Sequence, residues 1–302
     1  MSYSWKKLGR ILEISNYKDW AVSHSAVPFA EHLAGDIFKV YFTARDVRSR
    51  SHTAYFLMDI TQPSKVIEIG GAPVLAPGRT GTFDDSGAMG CWLTTVGENT
   101  FLYYQGWNLG VTVPFRNSIG VAIRKREGQF ERIFEGPIVD RTAREPHFTA
   151  TPCVLEENGI WDMWYLSCVG WELEGDKPRH RYHLKHARSD NGLDWNRSGE
   201  ISIDFKDDGE YAISRPSVMR KGGMWKMWYS FRGDRYRIGY AESEDGKKWE
   251  RMDDHAGIDV GQSGWDSEMV EYPFVFEHRG ATYMLYNGND YGRTGVGLAT
   301  LE

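Results

Sequence analysis

The stretch Trp225-Lys-Met-Trp-Tyr-Ser-Phe alternates large apolar residues with polar or small ones. Such alternation is typical of a β-strand, whose successive side chains point to opposite faces. The pattern recurs as Phe38-Lys-Val-Tyr-Phe-Thr-Ala, Phe101-Leu-Tyr-Tyr-Gln-Gly-Trp, Trp161-Asp-Met-Trp-Tyr-Leu-Ser and Tyr283-Met-Leu-Tyr-Asn-Gly-Asn. The equivalent tyrosines, which are Tyr41, Tyr104, Tyr165, Tyr229 and Tyr286, lie 57 to 64 residues apart. The sequence therefore contains five similar β-rich units.

Each unit contains further strand patterns on both sides of the aromatic one. Upstream are small-residue segments, most of which contain proline: Ala26-Val-Pro-Phe, Met89-Gly-Cys-Trp, Thr151-Pro-Cys-Val, Arg215-Pro-Ser-Val and Tyr272-Pro-Phe-Val. Downstream are segments such as Ile238-Gly-Tyr-Ala, followed by turns with Asn-Gly or Asp-Gly pairs that favour hairpins. Four antiparallel strands per unit, repeated radially, describe a β-propeller.

The sequence thus predicts an all-β fold, a single domain over 1–302 that forms a five-bladed propeller. We place the blades approximately at 21–80, 81–140, 141–205, 206–262 and 263–302. The last unit has only three strand patterns, whereas an additional strand pattern occupies residues 5–15. We expect this N-terminal strand to complete the last blade and close the ring, which leaves no exposed sheet edge.

Composition excludes several classes of partner and cofactor. The net charge is −6 without a basic block, which argues against nucleic acid. No apolar run is long enough for a membrane helix, and the first residues lack a signal-peptide pattern, so we expect a cytoplasmic protein without a membrane partner. The three cysteines lack metal-type spacing and are expected to be reduced thiols, so we predict no metal and no cofactor. The oligomeric state is not defined by the sequence.

Polar residues recur at one level of the predicted innermost strands. Aligning these strands on the proline, or on Gly90 in the second unit, places Ser23, Asp85, His147, Tyr211 and Glu268 at one position. Nearby are His24, Asp84, Glu145, Glu210, Arg215 and Glu271. These side chains could simply pair with one another and hold the blades together. Unmatched carboxylates in a concave channel are instead what acid–base chemistry requires.

The unit layout and the segment Glu271-Tyr-Pro-Phe-Val-Phe-Glu-His-Arg-Gly-Ala-Thr-Tyr-Met-Leu-Tyr resemble the five-bladed propeller glycosidases, which include glycoside hydrolase families 43, 32, 62, 68 and 130. The segment Gly81-Thr-Phe-Asp-Asp-Ser-Gly is similar to an acidic blade entry of this superfamily. The resemblance implies a carbohydrate substrate and makes Glu271, two residues before a proline, the general acid. The first blade departs from the pattern, because Val27 stands where those families usually have an aspartate.

Glycoside cleavage normally uses two carboxyl groups, one protonated and one ionised. We predict Glu271 as the acid and Asp85 as the base, with Glu145 as a further catalytic candidate. Adjacent Asp84 should point away from the channel if Asp85 points into it. Among the substrate-binding candidates, His24, His147 and Arg215 would bind hydroxyls or an anionic substituent, Trp107 would stack on a sugar ring, and Glu210 and Glu268 are reserve carboxylates.

The leading hypothesis is a glycosidase that acts on a small oligosaccharide or glycoconjugate. A second is a phosphorylase, in which Arg144, His147 and Arg215 would hold phosphate. A third is a non-catalytic sugar-binding propeller. We expect two insertions, 106–117 and 170–182, to be loops that shape the pocket, because loops on a rigid scaffold often carry specificity.

Overall fold

The structure, a computed structural model, describes residues 3–126 and 128–302. Within these residues the chain is almost entirely β-structure. The strands are β1 Trp5–Leu12, β2 Ser15–Lys18, β3 Ala21–Ala34, β4 Ile37–Arg45, β5 Ser51–Asp59, β6 Val66–Ile69, β7 Gly87–Val96, β8 Asn99–Leu109, β9 Phe115–Lys125, β10 Glu131–Arg132, β11 Thr149–Glu157, β12 Ile160–Glu174, β13 Lys177–Ser189, β14 Ile201–Ile203, β15 Ala212–Lys221, β16 Met224–Arg232, β17 Tyr236–Ser243, β18 Glu250–Arg251, β19 Glu271–His278, β20 Ala281–Asn287 and β21 Val296–Leu301. A short helix, α1, spans Asn289–Gly292, and a 3-10 turn spans Asp253–His255. No helix among the described residues is long and apolar enough to cross a membrane.

Consecutive strands pair antiparallel in meanders. These are β3-β4-β5-β6, β7-β8-β9-β10, β11-β12-β13-β14, β15-β16-β17-β18 and β19-β20-β21-β1. The first strands of the meanders pack against one another in a cycle: β3 contacts β7, β7 contacts β11, β11 contacts β15, β15 contacts β19, and β19 contacts β3. Strands that meet side by side around a common centre form the radial arrangement of a propeller.

The N-terminal strand closes the last meander, as the sequence predicted. Strand β1 pairs antiparallel with β21, from Trp5 opposite Leu301 to Leu12 opposite Val296. The Lys7 ammonium adds an ion pair to Asp266 at 2.7 Å. The last sheet therefore has its fourth strand from the opposite end of the described chain.

The repeated tyrosines are buried, and each has a charged partner. A phenol hydroxyl taken out of water needs a hydrogen-bond acceptor, and here each one donates to a carboxylate. The pairs are Tyr41–Glu31, Tyr104–Asp84, Tyr165–Glu145, Tyr229–Asp253 and Tyr286–Asp266. A cation pairs with each carboxylate, in the same order Arg124, Arg132, Arg197, Arg251 and Lys7. Many of the buried charges thus belong to a repeated packing unit.

The residue before each proline of the first strands has an unusual backbone. Val27, Thr151, Arg215 and Tyr272 have positive φ angles of 53°, 41°, 52° and 55°. The strand register shifts at each of these positions, which marks a β-bulge. Positive φ is costly for non-glycine residues, most of all for β-branched ones, so this bulge is a strained feature around the centre of the fold.

The two insertions are not irregular loops, which corrects the expectation from the sequence. Strand β8 pairs with β9 as far as Leu109 opposite Phe115, and β12 pairs with β13 as far as Glu174 opposite Lys177. Both insertions therefore extend β-hairpins, and they project rigid strand ends beside the first strands.

Candidate active site

A cavity of about 340 Å³ lies where the five first strands meet. Every first strand contributes to its lining. These residues are His24 and Ala26 of β3, Met89 of β7, Ala150 and Thr151 of β11, Ser214 of β15 and Tyr272 of β19. The central position and the size match those of a small-ligand site in a propeller.

Aromatic side chains form much of the cavity wall. They are Trp107, Phe115, Phe148, Tyr182, Tyr236, Tyr272 and Tyr291. The Trp107 indole N–H donates to the Ser51 hydroxyl at 3.2 Å, which fixes the orientation of the ring. Flat apolar rings with polar edges suit the faces of a sugar. The residue that the sequence favoured as a stacking platform thus lines the cavity, and its role in stacking stays a prediction.

Two histidines in the wall are held neutral. Burial, with help from Arg45 and Arg293, lowers the pKa of His24 to about 4. Burial, Arg232 and Arg179 lower the pKa of His180 to about 4. At neutral pH both rings are therefore uncharged, so they can exchange hydrogen bonds with a ligand without adding charge.

Glu271 contacts residues that form this wall. It opens β19, is fully buried, and neither carboxyl oxygen has a well-formed hydrogen bond with any described residue. Burial raises its pKa well above the usual value, and Arg232, the Tyr272 hydroxyl and the Tyr291 main-chain N–H only partly oppose this. Glu271 also interacts electrostatically with Tyr182. A protonated carboxyl group therefore lies directly behind the wall of the cavity.

The protonated state of Glu271 should make stability depend on pH. The folded chain keeps a proton that the unfolded chain releases above the usual pKa of 4.5, so the free energy of unfolding falls as pH rises from there to the raised pKa. One group contributes a slope of up to about 1.4 kcal/mol per pH unit. Glu271→Gln keeps the shape of the protonated carboxyl and should lose less stability than the wild type between about pH 5 and 8 in denaturant titrations. Equal pH slopes for the two proteins would contradict a buried protonated Glu271.

The two aspartates predicted at the second blade entry do not line the cavity. Asp85 is half-buried and accepts hydrogen bonds from the Gly81 N–H and the Ser86 hydroxyl, both at 3.0 Å. Asp84 is buried and bound to Tyr104 and Arg132. Neither aspartate is therefore part of the cavity lining, and the assignment of Asp85 as the base stays a prediction.

Glu145 and Glu210 also have partners away from the cavity. Glu145 accepts hydrogen bonds from Tyr165 and Ser167. Burial acts to raise its pKa, but Ser167 and the Lys185 and Arg197 charges lower it below the usual value, so Glu145 is ionised. Glu210 forms a bidentate pair with Arg251 at 2.7 and 2.9 Å. Both carboxylates are therefore buried because they pair with cations inside the protein, as the simpler of the two sequence interpretations proposed.

The remaining predicted site residues divide between surface and interior. Glu268 is exposed and pairs with Arg235 at 3.0 Å, and His147 is half-buried outside the cavity lining. Arg215 is fully buried and donates to the carbonyl oxygens of Cys91 at 2.7 Å and Pro28 at 3.0 Å. Its guanidinium joins three first strands and is not part of the cavity lining, so its contact with substrate stays a prediction.

Of the predicted residues, the structure therefore brings His24 and Trp107 into the cavity and Glu271 directly behind it. The sequence reasoning missed Arg45 and Arg232, which also line the cavity. Each stands immediately after a copy of the aromatic repeat, and this shared position is a signal that could have identified them. Within residues 3–126 and 128–302 no cluster of His, Cys, Asp and Glu is arranged to hold a metal ion.

Comparison with solved structures identifies the class of fold. No family model matches the chain. A glycoside hydrolase superimposes with a TM-score of 0.78 at 18% identity, over 99% of this chain and 92% of that one. A thermostable family-43 glycoside hydrolase gives 0.67 at 13% identity, over 96% and 92% of the two chains. A third solved structure superimposes with a TM-score of 0.71 at 13% identity, over 99% of this chain and 94% of that one. It comes from work stating that the GH130 family of mannoside phosphorylases contains glycoside hydrolases that target beta-1,2 mannosidic linkages in Candida mannan. The chain has the fold of the propeller glycosidase superfamily, which confirms the resemblance seen in the sequence.

A closer relative defines the family. The chain is 42% identical over 299 residues to Uncharacterized protein Rv1502 of Mycobacterium tuberculosis (strain ATCC 25618 / H37Rv), which covers 99% of both chains. Uncharacterized protein MT1551 of strain CDC 1551 / Oshkosh matches over the same length with the same identity. The chain belongs to the family of these two mycobacterial proteins.

Proposed function

We propose that the protein is a glycoside-cleaving enzyme, a single five-bladed propeller in which Glu271 is the general acid at the central cavity. The observation that carries this proposal is a fully buried carboxyl without a well-formed hydrogen bond, held protonated beside an aromatic cavity. Breaking a glycosidic bond requires a proton on the departing oxygen, and a carboxyl with a raised pKa supplies it at neutral pH. The fold shared with glycoside hydrolases supports the same reaction class by analogy.

Access to Glu271 depends on the tyrosines around it. Tyr291 is partly exposed, lines the cavity and accepts a hydrogen bond from the Arg232 guanidinium through its hydroxyl oxygen. It lies in α1, where Asp290 and Tyr291 have positive φ angles of 56° and 57°. Such a backbone costs on the order of 1–3 kcal/mol per residue, so the turn that carries Tyr291 is strained. In our proposal, displacement of Tyr291 by the substrate brings the Glu271 carboxyl into contact with the glycosidic oxygen.

A specific observation favours a second candidate, a glycoside phosphorylase. Among the described residues that line the cavity there is no aspartate or glutamate to act as the base for water. Asp85 and Glu145 are bound elsewhere, so we assign only the acid. Phosphorolysis needs one acid and an anionic nucleophile, and the arginines of the cavity wall could position phosphate.

The test is product release from a panel of aryl glycosides and short oligosaccharides, measured with and without inorganic phosphate. Free sugar formed at equal rates under both conditions supports hydrolysis. A sugar phosphate formed only with phosphate supports the phosphorylase. Sugar binding without any product from the panel would contradict both and leave the non-catalytic propeller that the sequence also allows.

A further inference from the structure

Two arginines line the cavity without an ion pair to any described carboxylate. Arg45 ends β4 and Arg232 ends β16, and both line the central cavity. In the described part of the chain, neither forms an ion pair with a carboxylate. Charges that are partly removed from water are costly unless they are paired, so this arrangement needs an explanation.

Other arginines with little exposure show what this protein normally does with such a charge. Arg124 pairs with Glu31, Arg197 with Glu145, and Arg251 with both Glu210 and Asp253. Each of these interior cations therefore has a carboxylate of its own. Fully buried Arg215 has no carboxylate but donates to the main-chain oxygens of Cys91 and Pro28. Arg45 and Arg232 differ from all of these arginines in that they line the central cavity.

The Arg232 guanidinium is held in a fixed position. It packs against the rings of Tyr211 and Tyr236, both at 5.4 Å, and these two contacts do not depend on Tyr291. It also donates to the main-chain oxygen of Asp234 at 3.3 Å. A guanidinium with a preset orientation loses little conformational freedom when it binds a planar or tetrahedral oxyanion.

The rest of the cavity wall does not neutralise this positive charge. His24 and His180 are uncharged at neutral pH, and no acidic side chain of the described residues is part of the lining. Glu271 behind the wall is protonated. The described lining thus carries two arginines and no carboxylate. Outside the lining, the charges of Arg293 and Asp290 act on His24 with opposite signs.

We propose that the substrate is anionic, and that Arg45 and Arg232 bind a carboxylate or phosphate group that is covalently attached to its sugar. This inference specifies the substrate class of the proposed function and rests on the same cavity. It also has a consequence for the acid: Arg232 favours the ionised form of Glu271, so an anion bound to Arg232 offsets that effect and keeps Glu271 protonated in the complex.

The test measures binding without turnover, by calorimetry at low ionic strength. The probes are the pairs glucose and glucuronate, galactose and galacturonate, and mannose and mannuronate, together with the three hexose 6-phosphates and inorganic phosphate alone. We expect at least one anionic sugar to bind about tenfold or more tightly than its neutral partner, the gain of one charge-assisted contact. Added salt should reduce that advantage.

Three variants locate the effect. Arg45→Met and Arg232→Met should each remove most of the anionic preference, and Arg45→Lys should retain part of it because the charge remains. The matched control is Arg79→Met, since Arg79 is exposed and pairs with Glu135 far from the cavity lining. It should bind like the wild type. Thermal melting measures whether each variant is folded. If a methionine variant does not fold, the binding of Arg45→Lys is compared with that of the wild type instead.

Several outcomes would overturn the inference. Neutral and anionic sugars that bind equally, a preference that survives in both methionine variants, or no binding of any anionic probe would each do so. Phosphate that binds alone and leaves neutral and anionic sugars equivalent would also overturn it, because the anion would then be free. Since no step requires catalysis, a failure of glycoside cleavage would not be mistaken for a failure of anion binding.

Discussion

Glu271→Gln should lower kcat by about 100- to 10,000-fold, the range expected when a general acid is removed. The amide has nearly the shape of the protonated carboxyl but cannot donate an acidic proton to the leaving oxygen. Because the side chain is uncharged in the folded wild type, the substitution should not reduce stability at neutral pH. The loss should be smallest with aryl glycosides whose leaving group is a weak base, since such a group departs without protonation. Steady-state kinetics with a series of aryl leaving groups measures both effects.

Glu268→Gln is the matched control for this experiment. It is the same substitution three positions earlier, at an exposed residue whose carboxylate pairs with Arg235. We expect it to keep wild-type activity and stability, because an exposed ion pair contributes little. If Glu271→Gln retained more than about a tenth of the wild-type kcat for every leaving group, the assignment of the general acid would be wrong.

Arg215→Ala should destabilise the fold by about 3–5 kcal/mol. Truncation leaves a void at the centre of the ring and removes the hydrogen bonds to the Cys91 and Pro28 carbonyls. Relief of a buried charge offsets part of this loss. Urea unfolding measures the change in the free energy of unfolding.

The control lies on the same strand. Arg220→Ala removes an exposed pair with Glu157 and should change stability by less than about 1 kcal/mol. An Arg215→Ala protein of wild-type stability that has lost sugar binding would contradict the structural role of Arg215. That result would support the substrate contact predicted from the sequence.

The strands were predictable because their signals are local. The aromatic repeat around Tyr165 or Tyr229 alternates over seven residues. Pro216 marks the bulged first strand, and such a proline stands at a constant distance before the repeated tyrosine in four of the five units. The position of β1 was predictable for a different reason. The last unit had only three strand patterns, and the N-terminal strand pattern belonged to no other unit. Only the conformation of the insertions was missed, because polar residues such as Arg179 and Glu172 pair across a hairpin as readily as they occupy a loop.

The candidate site was harder to predict because buried carboxylates near the first strands look alike in sequence. What separates them is the partner of each side chain. Asp84, Glu145 and Asp266 each accept a hydrogen bond from the hydroxyl of the tyrosine 20 residues later, whereas Tyr291, which lies 20 residues after Glu271, approaches that carboxyl with its main-chain N–H. The spacing is the same for all four carboxylates, so it does not separate Glu271 from the packing residues. The full burial of Glu271 without a carboxylate-binding cation of its own among the described residues depends on how five strands converge, which no local pattern records.

The pairing of β1 with β21 sets the order in which the molecule can be completed. Strand β1 leaves the ribosome long before β21, because nearly the whole chain separates Trp5 from its partner Leu301. Until β21 has been synthesised, β1 has no partner strand in the last sheet and its edge is unpaired. Contacts between such distant residues slow folding and prolong the exposure of strand edges. A fusion or deletion that disturbs residues 5–12 should therefore reduce the yield of folded protein more strongly than one of equal size at a hairpin tip.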